Sequence, residues 1–368
     1  MRILINGSYA PSLIGFRGPL IRTLCERGDE VHVAAPEIGD DVREELERYG
    51  ARVHEVPLSR TGLSVAGDLT YFLALRRLMR RVAPDFVLGY TIKPNIWGSL
   101  AARSLSIRSA SMVTGLGYAF APPAGLARRL LAGLSRRLYR LATSANDRVV
   151  FQNPDDLADF VAAGCLADPS KAGIVNGSGV DTAHYAPAPL PPESVFLLVG
   201  RLLGAKGVRE YGRAAARLGA RYPEWRFLLV GFPDEGLDGI TPGELAGIEA
   251  AGVEFLGRRD DIRPVIAQAS VFVLPSYREG TPRSVLEAMA MGRPVVTTDA
   301  PGCRETVIDG LNGRLVPVGD AEALAAAMEA LGASRELREK MGAESLRIAR
   351  EKYAVEQVNA SLLRLLGL

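Results

Sequence analysis

The stretch VFVLPSYREGTPRSVLEAMAMGRPVVTT, residues 271–298, decides the fold class of this chain. It begins with the apolar run Val271–Leu274 and ends with the apolar run Val295–Thr298, and both have the length and composition of buried parallel strands. Between them, Thr281 suits the N-cap of a helix and Pro282 suits its first position. The stretch therefore predicts a strand, a helix with Thr281 as its N-cap and Pro282 as its first residue, and a second strand.

Similar units recur on both sides of this stretch. Apolar runs predict strands at residues 2–5, 31–34, 53–56, 86–89, 109–113, 148–151, 174–175, 195–199, 227–230, 253–256, 271–274, 295–298 and 315–316. Helical patterns fill most of the gaps, an alternation that favours parallel sheets. The proline-rich segment 186–192 reads as a linker. We therefore predict an α/β chain of two doubly wound, Rossmann-like domains, residues 1–185 and 193–350, that face each other across a cleft.

Composition narrows the class of protein. The 368 residues carry a formal net charge of +2 and 48% hydrophobic residues, so nucleic acid is not an expected partner. Three scattered cysteines show no metal-ligand spacing, and no metal is expected. No stretch of 18 apolar residues occurs, and the first residues, MRILINGS, predict a strand rather than a signal peptide.

Two carboxylates flank the predicted helix start. Glu279 lies in the loop before it and Glu287 lies more than one turn inside it. The amides and the positive dipole end of a helix N-terminus favour an anionic ligand, typically a phosphate. One carboxylate could then hold sugar hydroxyls and the other a ribose. By themselves, two such glutamates indicate no more than a solvated helix start.

A second motif, VGRLLGAKG at residues 199–207, follows one predicted strand and precedes a helix. Its glycines allow close approach of a ligand, and Arg201 and Lys206 supply two cations at the carboxyl end of a strand. A bidentate guanidinium with a compact ammonium suits a diphosphate. Neither a Walker motif nor a dinucleotide G-x-G-x-x-G fingerprint is present, which disfavours a nicotinamide enzyme.

The two motifs, E-x7-E and G-R-x4-K-G, resemble those of the retaining glycosyltransferases of family 4, which have the GT-B architecture. The resemblance implies that Arg201, Lys206 and Glu279 are catalytic, with Glu279 at the donor sugar. It implies nucleotide-sugar contacts from Gly15, Gly200, Arg258, Gly280, Thr281, Pro282, Arg283 and Glu287. Arg258 and its neighbour are equally well explained as solvated loop charges. The resemblance also implies that residues 351–368 form a helix that packs back on the first domain.

In the first half, GYTIKPNIWGS at 89–99 and VTGLGY at 113–118 resemble a bacterial, N-acetylgalactosaminyltransferase-like subgroup that extends undecaprenyl-diphosphate-linked sugars. Two departures stand out. The first loop keeps only Gly15 where many members have Gly-Gly, and Thr114 stands where many have a histidine. The three histidines are interpreted as structural: His32, His54 and His184.

The segment 125–142, GLARRLLAGLSRRLYRLA, predicts an amphipathic helix. One stripe carries Leu126, Leu130, Leu134, Leu138 and Leu141, and another carries Arg129, Arg136 and Arg140. This pattern is typical of a membrane-surface element, and an ordinary core-packing helix with a solvated basic face is the alternative.

Taken with the resemblance, these features imply a metal-independent transfer from a UDP-sugar, with an N-acetylhexosamine as the sugar, onto an undecaprenyl-diphosphate-linked saccharide. The enzyme would act in bacterial surface polysaccharide or glycoprotein glycan assembly, peripheral to the cytoplasmic face of the inner membrane. Two alternatives remain open at this stage: a nucleotide-sugar 2-epimerase of the same architecture, and a non-catalytic nucleotide-sugar-binding subunit.

Overall fold

The computed structural model describes residues 1–58, 65–116, 126–234, 236 and 238–368, and for residues 65 and 126–131 it describes the backbone alone. The chain divides into two compact units. Residues 1–178 and 359–368 form the first unit, and residues 179–358 form the second. The sequence-based boundaries at 185, 193 and 350 stay predictions.

Seven parallel strands form the sheet of the first unit, in the order β3-β2-β1-β4-β5-β6-β7. Their bounds, from β1 to β7, are Arg2–Asn6, Glu30–Ala35, Arg52–Glu55, Phe86–Tyr90, Arg108–Val113, Arg148–Phe151 and Ala172–Ile174. The described helices of this part are α1 to α7: Pro11–Gly15, Gly18–Glu26, Asp40–Arg48, Val65–Val82, Ser99–Arg103, Leu126–Ala145 and Pro154–Ala162. A π-helical turn, Pro94–Gly98, precedes α5.

The helices of the first unit cover both faces of its sheet. On one face, Ile3, Ile5 and Leu88 pack with residues of α2, α3 and the C-terminal helix. On the other face, Leu4 and Val87 pack against α4. Strand residues alternate between the two cores because successive side chains of a strand point to opposite faces.

Six parallel strands form the sheet of the second unit, in the order β10-β9-β8-β11-β12-β13. From β8 to β13 they span Val195–Val199, Arg226–Val230, Val253–Phe255, Val271–Leu274, Val295–Thr298 and Gly313–Val316. The remaining described helices, α8 to α14, are Val208–Arg221, Pro242–Ala250, Arg263–Gln268, Arg283–Ala290, Ala321–Gly332, Arg335–Lys352 and Val355–Leu366. The α/β prediction of two doubly wound parallel sheets is confirmed.

Both sheets have a point where the strand order reverses, between β1 and β4 in the first and between β8 and β11 in the second. In open α/β sheets, ligands bind outside the carboxyl ends of the strands at this point. The loops after β8 and β11 are the two motifs quoted above, so the topology brings them side by side.

Two sequence-based details differ from the structure. Helix α11 begins at Arg283, one residue after the predicted first position, because Pro282 has an extended backbone (φ −73°, ψ 108°) and occupies the N-cap position itself. Segment 186–192 has no helix or strand, as predicted, yet it packs within the second unit. The buried guanidinium of Arg293 donates to the carbonyls of Ala188 and Pro189, at 3.0 and 3.1 Å.

Candidate functional site

The loop after β8 is pressed against the loop after β11. It contains a 3-10 turn, Gly204–Lys206, and ends at Gly207, whose left-handed backbone (φ 72°) starts α8. A Cβ on Gly207 would lie 2.2 Å from the carbonyl oxygen of Pro275, so this position accepts no side chain. The amide of Tyr277 donates to the carbonyl of Ala205 at 2.9 Å, which fixes the two loops together.

This contact brings the first motif to the second. The ammonium of Lys206 donates to Oε1 of Glu279 in an ion pair, and its side chain is 22% exposed against 12% for that of Glu279. The hydroxyl of Ser276 donates to the same carboxylate oxygen at 2.8 Å. The predicted catalytic lysine and glutamate are therefore neighbours in a mostly buried site, where charge interactions are stronger than in water.

The main chain of Glu279 is held from the loop that follows β12. Its amide donates to the carbonyl of Pro301 at 2.9 Å. Gly302 has a left-handed backbone (φ 79°), and a Cβ there would lie 2.1 Å from the carbonyl oxygen of Glu279. Three strand-end loops, after β8, β11 and β12, thus position one carboxylate.

Arg201 has a different partner. Its guanidinium donates to Oδ2 of Asp234, in the loop after β9, at 2.8 Å, and its side chain is 48% exposed. Nearby, the carboxylate of Asp238 accepts from the amide of Ala205 at 2.5 Å and from Arg209 at 3.2 Å. The sequence-based argument missed both aspartates, because no local pattern marks an acid that serves a loop 33 residues away.

Glu287 lies deeper, on α11, with 6% of its side chain exposed. Its carboxylate accepts from the guanidinium of Arg283 at 2.7 Å, and the hydroxyl of Tyr185 adjoins both groups. Burial raises the pKa of the Glu287 carboxyl, and Arg283 and Tyr185 oppose that rise. Arg283 and Glu287, both predicted nucleotide contacts, thus form one pair, and Tyr185 is a neighbour that the sequence did not indicate.

The other predicted contacts are placed as follows. Gly200 lies at the end of β8, where its carbonyl would be 1.9 Å from a Cβ on Gly231. Gly280 and Thr281 form the bend before α11, and the N-cap residue of that helix, Pro282, makes no side-chain cap hydrogen bond. The side chain of Arg258 is 74% exposed and contacts Asp260, so its side chain matches the description of a solvated loop charge. Gly15 is the last residue of α1 in the first unit.

The described part of α6 places its leucines unequally. Leu134 and Leu141 are 51% and 47% exposed, while Leu138 is half-buried against the core and Tyr139 is buried. The exposed pair is the opposite of what a simple core-packing helix would give. The predictions on Gly117, Tyr118, Gly125 and the side chains of Leu126, Arg129 and Leu130 fall outside the described residues.

The histidines lie on strands and loops, as the sequence suggested. Nδ1 of His32, on β2, is 2.8 Å from Nε2 of His54, on β3, and the two rings are stacked. His184 is exposed, beside Arg263. Among the described residues, no group of three or more His, Cys, Asp or Glu side chains is gathered as the ligands of a metal ion would be.

The switch point of the second unit therefore has two cations, Arg201 and Lys206. It also has two carboxylates: Glu279, which pairs with Lys206, and the buried Glu287, which pairs with a further arginine. Such a set suits a ligand with a polyanionic end and several hydroxyl groups. Each cation has a carboxylate partner in the structure, so an anionic ligand must compete with Asp234 for Arg201 and with Glu279 for Lys206.

Comparison with known proteins identifies the families to which the two halves of the chain are similar. Residues 193–334 match the family described as glycosyl transferases group 1, and residues 18–175 match the glycosyl transferase 4-like domain. The chain is 29% identical to the N,N'-diacetylbacillosaminyl-diphospho-undecaprenol alpha-1,3-N-acetylgalactosaminyltransferase of Campylobacter jejuni. The aligned region of 353 residues covers 92% of this chain and 91% of that protein. It is 26% identical to the UDP-Gal:alpha-D-GlcNAc-diphosphoundecaprenol alpha-1,3-galactosyltransferase of Escherichia coli, over 74% of this chain and 72% of the other.

Two solved structures share the fold at low sequence identity. The Anabaena protein HepE in complex with UDP and glucose superposes with a TM-score of 0.79 at 20% identity, over 100% of this chain and 99% of its own. The sucrose-phosphate synthase of Thermosynechococcus elongatus superposes with a TM-score of 0.83 at 18% identity, over 99% and 98% of the two chains.

Proposed function

This chain belongs to the GT-B glycosyltransferases of family 4, with a glycosyl transferase 4-like domain followed by a glycosyl transferases group 1 domain, and we propose that it is a retaining enzyme. It acts in bacterial glycan assembly. It transfers an N-acetylhexosamine from a UDP-sugar to an undecaprenyl-diphosphate-linked saccharide. The product serves a surface polysaccharide or a protein-linked glycan. The observation that carries the proposal is the Lys206–Glu279 pair, which joins the two family motifs in one site.

The donor part of the proposal uses the switch point of the second unit. Breaking a glycosyl–phosphate bond leaves negative charge on the departing diphosphate and positive charge on the sugar. Lys206 and Arg201 stabilise the diphosphate, which carries more charge than the single carboxylates that hold them in the structure. Glu279 then binds the donor sugar, and Glu287 binds the ribose hydroxyls.

The same arrangement supports a transfer that retains the configuration of the anomeric carbon. The acceptor hydroxyl attacks this carbon on the same face from which the diphosphate departs. In this scheme the leaving phosphate guides the acceptor hydroxyl, and the protein supplies positioning and positive charge rather than a nucleophile. The loops around Glu279 are locked by Gly207 and Gly302, which keeps the charges in place before the reaction begins.

The acceptor part rests on relatives. The names of both sequence relatives described above include diphospho-undecaprenol or diphosphoundecaprenol as the carrier of the accepting sugar. In the described part of the chain, no helix is both long enough and apolar enough to cross a bilayer. The exposed leucines of α6, with basic residues beside them, support peripheral attachment to an anionic membrane, which we assign to the cytoplasmic face of the inner membrane.

A donor screen tests this function. Purified protein is incubated with UDP-, GDP- and dTDP-sugars, with and without an undecaprenyl-diphosphate-linked saccharide, and both nucleotide release and lipid mass are followed. We expect release that depends on the acceptor, with one UDP-N-acetylhexosamine and a matching gain in lipid mass. Conversion of the donor sugar without acceptor would identify an epimerase instead. Nucleotide binding without turnover of any pair would favour a binding subunit.

A further inference from the structure

Arg17 is a buried cation at the switch point of the first sheet. It follows α1, occupies the N-cap position of α2, and is 3% exposed. Its guanidinium carbon lies 5.2 Å from the ring centroid of Tyr90, the last residue of β4. The hydroxyl of Tyr90 is 2.8 Å from that of Ser12, which in turn donates to the carbonyl of Tyr9 at 2.5 Å. The stacked ring and the guanidinium are therefore anchored to the loop after β1.

The hydrogen bonding of Arg17 differs from that of the other buried arginines in the described residues. Arg293 donates to four backbone carbonyls and Arg338 to three carbonyls and a serine hydroxyl, so both have structural roles. No hydrogen bond or ion pair joins the guanidinium of Arg17 to any described residue, and its Nε is buried without a partner. The two terminal nitrogens also make no hydrogen bond to a described residue, in a side chain of which 3% of the residue surface is exposed.

An isolated cation in this position is unfavourable for folding. Burial lowers the pKa of Arg17 to about 10, so the side chain stays charged at neutral pH without a carboxylate to balance it. Taking a charge out of water is costly unless it is paired, and groups that break this rule concentrate at functional sites. Beside it, the N-terminus of the nine-residue helix α2 has no side-chain cap, which adds partial positive charge at the same place.

We infer that Arg17 binds a phosphate oxygen of a diphosphate ligand at the carboxyl ends of β1 and β4. The two terminal nitrogens supply a bidentate donor, the stacked Tyr90 ring fixes the plane of the guanidinium, and the ligand supplies the missing counter-charge. This inference rests on the proposed function in one respect, which is the identity of the molecule that carries the diphosphate. That molecule, the source of the diphosphate, is either the nucleotide-sugar donor or the lipid-linked acceptor.

The full-length variants Arg17→Met and Arg17→Lys test the inference, with Arg22→Met on the exposed side of α2 as a matched control. Inorganic pyrophosphate is titrated by calorimetry into each protein and into Lys206→Ala, which lowers the contribution of the second unit. We expect Arg17→Met to bind pyrophosphate at least tenfold more weakly at one site, and Arg22→Met to match the wild type. Unchanged binding in Arg17→Met would overturn the inference.

Stability separates this role from a structural one. Because Arg17→Met removes an unpaired buried charge, we expect its thermal midpoint to equal or exceed that of the wild type. A lower midpoint with unchanged pyrophosphate binding would show that the guanidinium is structural. If Arg17→Met does not fold, Arg17→Lys provides the test, because lysine keeps the positive charge but lacks the two parallel donors of the guanidinium. Severalfold weaker pyrophosphate binding in Arg17→Lys supports the inference, and binding equal to that of the wild type overturns it.

Steady-state kinetics separates the two sources. A raised KM for the lipid-linked acceptor alone assigns the diphosphate to the acceptor, and a raised KM for the nucleotide sugar alone assigns it to the donor. Because pyrophosphate binding needs no turnover, failure of the wild type to transfer sugar would reject the proposed function and leave the Arg17 site standing. Loss of the site would leave the proposed function standing.

Discussion

Lys206 and Glu279, 73 residues apart in the sequence, form an ion pair where β8 and β11 end. Each belongs to a separate motif, and the pair exists because Gly207 lets the two loops touch. Under the proposed function, this ion pair holds Lys206 until a nucleotide sugar binds. We then expect Lys206 to turn to the diphosphate and Glu279 to bind the sugar.

Replacing Lys206 with alanine should reduce turnover severely. The departing diphosphate would lose the more buried of its two cations in the second unit, and removal of one such group lowers kcat about 100-fold or more. The initial rate of nucleotide release, with donor and acceptor saturating, checks this. Lys340→Ala, on an exposed position of α13, is the matched control and should retain wild-type turnover. Turnover near wild type in Lys206→Ala would remove this residue from the leaving-group role.

Glu279→Gln should separate sugar binding from nucleotide binding. Glutamine keeps the shape of the side chain but no longer holds Lys206 as a counter-ion, so UDP should bind as tightly as in the wild type or more tightly. The kcat/KM for the intact donor should fall about 100-fold, since a charged hydrogen-bond acceptor for the sugar is lost. Calorimetry with UDP and kinetics with the donor measure the two quantities. A parallel loss of both would assign Glu279 to the nucleotide instead.

Gly207→Ala should destabilise the second unit. The new methyl group would lie 2.2 Å from the Pro275 carbonyl oxygen on a backbone with φ 72°, so the loop must move. We expect the free energy of unfolding to fall by about 2–4 kcal/mol. Gly247→Ala, inside α9 with no atom within 4 Å of its Cβ, should stabilise by about 0.5–1 kcal/mol. Urea unfolding of the two variants measures both changes. Equal stability of the two alanine variants would refute the close contact.

Mild acid should destabilise the protein through His32 and His54. Burial is the largest cause that lowers the pKa of His54 from 6.5 to about 4, and it also lowers the pKa of His32. Both rings hold a proton less tightly when folded than when unfolded. Their stabilising contribution is therefore present above pH 6.5, the ordinary value, and is lost as the pH falls towards 4.

His54→Gln should remove part of that dependence. The free energy of unfolding of the wild type, measured in urea from pH 7.5 downwards, should fall more steeply than that of His54→Gln. Parallel curves for the wild type and His54→Gln would contradict the assignment to this stacked pair.

Leu134→Ser with Leu141→Ser should weaken attachment to membranes. These side chains are the exposed apolar ones on the described part of α6, and each buried leucine contributes about 1.5–3 kcal/mol when it is fully removed from water. Sedimentation with vesicles that contain anionic lipid should show a loss of at least tenfold in partitioning. Ile308→Ser, an exposed position of the second unit, is the control. Unchanged partitioning of the double variant would leave α6 without a membrane role.

The secondary structure followed from local sequence. Each of the thirteen predicted strands overlaps a described strand, and those at Arg148–Phe151, Val195–Val199, Val271–Leu274 and Val295–Thr298 have the predicted bounds. Short apolar runs between helical patterns decide this, because a parallel strand covered on both faces must be apolar along its whole length. The start of α11 was less accurate, since the extended backbone of Pro282 depends on the loop before it.

The amino-acid sequence by itself determined the class of fold, the two glycine-containing motifs and the residue types that suit a nucleotide sugar, because these depend on local order along the chain. Only the tertiary structure decided which charges meet. The order of the strands places the ends of β8, β9, β11 and β12 near one another, and so pairs Lys206 with Glu279 and Arg201 with Asp234. Burial, likewise, is a property of packing, so only the fold showed that Arg17 lies unpaired beneath the surface while Leu134 and Leu141 face outward.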